Sequence, residues 1–162
     1  MSVLNLLTVL KETESKFGRL YHWLSELYAG DQEAAIFLYH LGLEEFAHAS
    51  LAGYAAQLVR NRTEAQKREV AEKADLNLAD ILKASARMDE VRQSPPPPID
   101  EAFRIVIDLE CYVFEYHLRE HLVQAVPECA TLLNRLKAAD QQHHRELVEF
   151  AVLRKYIAPV SG

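Results

Sequence analysis

Four stretches of the chain carry apolar residues at alternating intervals of three and four, the spacing of helices that face a core. The first stripe, Val3, Leu7, Leu10, Glu14, Phe17, Tyr21, Leu24 and Tyr28, predicts a helix over 3–28. Leu38, Leu41, Glu45, His48, Ala52, Ala55 and Val59 predict a second, from Asp31 to about Asn61. The third carries Phe103, Ile107, Glu110, Phe114, His117 and His121, between Asp100 and about Gln124. Leu133, Leu136, Asp140, His143, Leu147 and Phe150 mark the fourth, which starts near Pro127. A carboxylate interrupts every stripe, and on the second and fourth a histidine follows it three residues later, one turn along the same face. An ionised carboxylate buried without compensation is costly. Something must offset these acids, and a metal ion is one candidate.

The connections fix the layout. Gly30 can end the first helix in a left-handed cap and Asp31 can cap the second, so helices one and two form an antiparallel hairpin. Pro127 and Glu128 start helix four after an equally tight turn. Between the hairpins, Thr63 and Gln66 read as a capping box. The charged, Ala/Leu-rich residues 64–93 read as helical, with a break near 75–77, and Ser94 with Pro95–Pro98 stops them. Some thirty helical residues span about 45 Å, one full bundle length. One domain over 1–162 is therefore expected: hairpin 3–61, helical crossover 62–99, hairpin 100–156. The crossover should lie along the outside or against a second chain.

The halves repeat each other. Glu14 precedes Glu45 by 31 residues and Glu110 precedes Asp140 by 30. Each first carboxylate stands 16 residues before its turn centre, Gly30 or Val126, and its partner 14 or 15 after it. Folding at the turns brings all four to mid-helix depth. Glu14, Glu45, His48, Glu110, Asp140 and His143 thus converge on one layer. Four carboxylates balance two divalent ions, and an oxygen and imidazole set without thiolate suits iron or manganese, with zinc an alternative.

Composition narrows the rest. The 162 residues, 49% hydrophobic and 26% charged, suit a single globular domain. Five Gly and six Pro, four of them in one run, favour an all-α fold. A net charge of -6 argues against a general nucleic-acid binder. Cys111 and Cys129 form neither a zinc pair nor a disulfide framework. No signal peptide or membrane-spanning run is apparent, so a soluble protein in the reducing cytoplasm is expected.

With its paired carboxylates and Glu-x-x-His and Asp-x-x-His motifs, the chain resembles the ferritin-like superfamily, and most of all its rubrerythrin-type di-iron domain. Tyr21, seven residues after Glu14, and Ala34-Ala35-Ile36-Phe37 at the start of helix two also fit that family. The likeness covers 3–61 and 100–155 and leaves the crossover unmatched. It implies a ferritin-like four-helix bundle with a long crossover between helices two and three, holding two iron ions. It implies a di-iron oxidoreductase that reduces hydrogen peroxide or dioxygen, or oxidises Fe(II). The chain departs from the family at Asp140, where the family has Glu, at Val113, where rubrerythrins carry a further Glu, and at His117, often Tyr. No Cys-x-x-Cys module accompanies the domain, so electrons are expected from a separate donor protein.

Several side assignments follow. Tyr21 is either plain core or a hydroxyl donor to a metal-bound carboxylate. His117 and His121 are hydrogen-bonded core residues or partners of the ligands. His22, His40 and His144 are expected at the surface, and Cys111 in ordinary packing. A homodimer is expected to cover the apolar residues of 64–93. The other functional class is a non-enzymatic bundle that stores or senses iron, or one that has lost its metal role.

Overall fold

The structure, a computed structural model, describes residues 3–62, 79–116 and 127–159. It is all-α: the described residues form no strand. The helices are α1 (Val3–Leu27), α2 (Gln32–Arg60), α3 (Ala79–Gln93), α4 (Ile99–Tyr116) and α5 (Ala130–Leu153), the last entered through a 3-10 turn at Pro127–Cys129.

α1 and α2 pack along their length as an antiparallel hairpin. The turn is tight because the Asp31 N–H donates to the Tyr28 carbonyl at 2.8 Å, and the Asp31 carboxylate then accepts from the Ala34 N–H at 3.2 Å. Asp31 is therefore the expected N-cap. Gly30 differs from expectation: no described glycine has a positive φ, so the turn closes without a left-handed residue. Glycine matters instead where the two helices touch. A β-carbon on Gly18 would lie 2.8 Å from the Phe46 ring, and one on Gly42 would lie 2.4 Å from His22 Cδ2. Each helix thus leaves a hole for the other's ring, and the backbones come close.

The second part of the expected crossover is not an outer layer. Ala84, Met88 and Val91 of α3 join the same buried core as Leu20, Tyr21 and Phe103. α3 packs against both α1 and α4, and an ion pair from Lys16 to Asp89 ties it to α1. Burying three apolar side chains there removes most of the reason for α3 to seek cover from a second chain. Residues 63–78, the first part of the crossover, lie outside the described residues. Ser94 closes α3 by donating from both its N–H and its hydroxyl to the Glu90 carbonyl, and Tyr28 Oη donates to the Pro97 carbonyl at 2.6 Å. The proline run is thereby held against the α1–α2 turn.

At the far end of α5 the chain turns through Lys155, at φ 60°. The Tyr156 N–H reaches back to the Ala151 carbonyl, a helix-ending arrangement that uses a left-handed residue. Among the described residues no helix is long and apolar enough to cross a membrane.

Candidate metal centre

The buried carboxylates and histidines among the described residues are Glu14 on α1, Glu45 and His48 on α2, Glu110 on α4 and His143 on α5, all at most 6% exposed. These are five of the six positions selected from the sequence. Asp140 lies in α5 three residues before His143, on the same helical face; its side chain is outside the described part. His117, His121 and Val126 are also outside the described residues.

Helical spacing explains the convergence. Glu45 and His48 are successive turns of the α2 face that also buries Leu41, Ala52 and Ala55. α5 brings His143 to the same depth. His143 Nδ1 stands 2.8 Å from Glu45 Oε1, and His48 Nδ1 lies 3.4 Å from Glu45 Oε2. The two imidazoles stack at 5.0 Å between centroids, 26° from parallel. One ligand atom from each of Glu45, His48 and His143 falls within 4.8 Å of the others, so this group can hold a metal ion.

Glu110 approaches from α4 and accepts a hydrogen bond of 2.7 Å from Tyr21 Oη. Tyr21 is fully buried. Burial raises its hydroxyl well above the ordinary tyrosine value, and the charges of Glu110, Glu45 and Glu14 raise it further. It keeps its proton and acts as a donor to Glu110.

The electrostatics of the layer show what is missing from an ordinary buried ion pair. Burial alone would raise the Glu45 carboxyl, but hydrogen bonds from His143 and His48, with Glu14 contributing, hold it well below the usual range. Burial would likewise lower His143, and the hydrogen bond and charge of Glu45 outweigh this, with Glu110 and Glu44 adding, to bring it up to about 9. Three buried carboxylates thus face two imidazoles. No lysine or arginine is buried among the described residues to balance them.

One participant escaped the sequence reading. Glu44 is half-exposed, yet its carboxylate contacts His143 Nε2. It lies about 100° around the helix from Glu45, off the core stripe, so periodicity assigns it to the surface. The only signal was the Glu44-Glu45 doublet itself. His22 is also not a plain surface residue: its ring is half-buried, stacked on Tyr39 at 4.8 Å and edge-on to Phe46. Cys111 is exposed rather than packed inside, with its sulfur 3.8 Å from the ring nitrogens of a half-buried His144.

The chain matches no family model, no curated protein and no solved structure.

Proposed function

We propose that the buried layer is a di-iron centre of rubrerythrin type on a ferritin-like four-helix bundle, with α3 part of its long crossover. The protein is then an oxidoreductase that reduces hydrogen peroxide, or dioxygen, with electrons from a separate donor protein. The observation that carries this reading is the single buried layer of three carboxylates and two histidines from four helices, three of whose side chains bring ligand atoms within 4.8 Å of one another. Oxygen and imidazole donors without thiolate fit iron first, then manganese or zinc.

Glu14, Glu45, His48, Glu110, Asp140 and His143 would hold the ions, with Glu45 already reaching both imidazoles. A pair of ferrous ions, when bound, supplies the two electrons that hydrogen peroxide consumes on reduction to water. The chain supplies the rest. Tyr21 holds its proton and fixes the orientation of Glu110 through a buried hydrogen bond. Phe17, Leu41 and Leu109 are buried around the layer's helices and limit the access of bulk water. Glu44, at the edge of the layer, orients His143 from its outer nitrogen.

Anaerobic reconstitution with Fe(II) followed by metal analysis tests the assignment. About two equivalents per chain are expected for a paired carboxylate site, and Glu45→Ala should lose both. Retention of both by that variant overturns the ligand assignment. Rapid mixing of the loaded, reduced protein with peroxide and with dioxygen then tests the reaction. Faster oxidation by peroxide is expected. Faster oxidation by dioxygen would make the protein an oxidase or ferroxidase, and none by either would leave storage or sensing of iron.

A further inference from the structure

α3 and α4 follow one another through the short proline connection and pack together, yet their seam does not close along its whole length. A cavity of about 330 Å³ opens between them, lined by Lys83, Ala84 and Arg87 of α3 and by Ile105, Asp108 and Leu109 of α4. Its floor is apolar, with Ala84 and Leu109 buried and Ile105 half-buried. Ala84 adds only a methyl group at this level of the seam, which leaves room.

The rim is charged, and its two signs stand on different helices. Lys83 and Arg87 are one turn apart on α3, and Asp108 is on α4. An adjoining cavity of about 180 Å³ shares Arg87 and Ile105 and repeats the division, with Glu101 on the α4 side. Arg87 donates to Glu90 of its own helix at 2.6 Å. Lys83 and Asp108 make no ion pair or hydrogen bond among the described residues, although they line the same cavity. Opposite charges on one narrow cavity attract, and here the gap holds them apart. A group that joins them must present an anion to one wall and a cation to the other.

We propose that this cavity binds a free α-amino acid with an apolar side chain. The carboxylate sits at Lys83 with the Arg87 guanidinium beside it, the ammonium sits at Asp108, and the side chain covers Ala84, Ile105 and Leu109. Charge and size select this class. A purely anionic ligand meets Asp108 and Glu101, and a purely cationic one meets Lys83 and Arg87. A purely apolar one takes water from the charged rim and gives nothing in return. The volume lies at the small end of ligand sites, roughly 300–1,000 Å³, which suits a molecule of amino-acid size. The inference is independent of the metal reading, because no lining residue is among the proposed ligands. Both charged walls are open to water, which screens them, so a dissociation constant on the order of 1 mM is expected.

Titration of the full chain with L-leucine, read by calorimetry and by amide NMR shifts, tests this. Saturable binding is expected, with shifts centred on the facing parts of α3 and α4. Three analogues each lack one part: isocaproate the ammonium, isoamylamine the carboxylate, and glycine the apolar side chain. Each should bind about tenfold more weakly than leucine, the effect of losing one charged hydrogen bond or one covered side chain. Lys83→Gln and Asp108→Asn should weaken leucine by a similar factor. Both positions are exposed, so helical content and melting should match wild type. Asp108→Asn should still bind isocaproate at least as well as wild type does, since that ligand has no ammonium to lose. Absence of saturable leucine binding well above the millimolar range overturns the proposal. Equal affinity for leucine and the analogues, or leucine binding that tolerates both variants, overturns it as well.

Discussion

Two cross-sections of this helical core are held in opposite ways. Beyond the α1–α2 turn, Phe37, Phe103, Phe150 and Tyr156 stack in a continuous aromatic cluster. Phe37 and Phe150 lie 4.2 Å apart and nearly parallel, and Phe103 contacts Tyr156 at 4.9 Å. Phe103 is fully buried there and the other three rings partly, whereas further along the same helices Glu14, Glu45, His48, Glu110 and His143 are all buried. The aromatic section gains by removing apolar surface from water, whatever is bound nearby. The charged section loses solvation at every group, and its stability rests on the hydrogen bonds and charges that offset this at Glu45 and His143. A chain that needed only to fold would have filled both sections the same way. The difference is what the proposed metal centre accounts for.

The comparison breaks most visibly in the aromatic section. Phe103 is fully buried, and it touches three rings of the cluster. Phe103→Ala should cost about 3–5 kcal/mol, from lost transfer energy and the cavity left behind. Denaturant unfolding with and without a saturating divalent metal measures this. The metal should add the same increment to wild type and variant, because the two sections are separate sites. A cost that disappears on metal addition would mean that the aromatic section and the polar layer are one unit.

A smaller change sharpens the other side. Tyr21→Phe keeps the ring and removes only the hydroxyl that donates to Glu110. A hydrogen bond to a charged acceptor is worth about 1.5–3 kcal/mol, so the variant should lose an amount in that range in unfolding experiments. A loss near zero would show that Glu110 is oriented by other neighbours and that Tyr21 is ordinary core.

How much of this was legible in the sequence depends on what periodicity can see. Stripes at three and four placed Glu14, Glu45, His48, Glu110 and His143 correctly, because a core face is a repeating property of one helix. Glu44 was lost for the same reason: its long side chain reaches sideways from a solvent-facing position. The burial of Met88 and Val91 was not foreseen, since amphipathic α3 reads alike whether it lies outside or fills a groove between α1 and α4. His22 was read as surface because nothing local reveals that Gly42, twenty residues on, makes room for its ring.

The smallest predicted effect lies at the boundary of the aromatic section, where Asp31 does two jobs. Its carboxylate caps α2 through the Ala34 N–H, and it accepts from Tyr156 Oη at 2.8 Å and from Arg154 Nη2 at 2.5 Å. The Tyr156 hydrogen bond and then the Ala34 N–H hold this carboxyl below its usual range, with Arg154 contributing. Because the folded-state value is lowered, the stabilisation is fully present above the ordinary carboxylate value of about 3.9 and is lost as pH falls through the folded one. Asp31→Ala removes cap and charge together and should cost about 1 kcal/mol at neutral pH, a typical N-cap value. Asp31→Asn keeps an acceptor for the Ala34 N–H and loses only the charge, so its deficit should be smaller at neutral pH. On acidification the wild type protonates Asp31 and loses that same charge, and the wild-type and Asn curves should converge. Melting curves of the three proteins from neutral pH down to about pH 3 measure both jobs at once. Parallel wild-type and Asn curves across that range would show that the contacts with Arg154 and Tyr156 contribute nothing through charge, leaving Asp31 only as a cap.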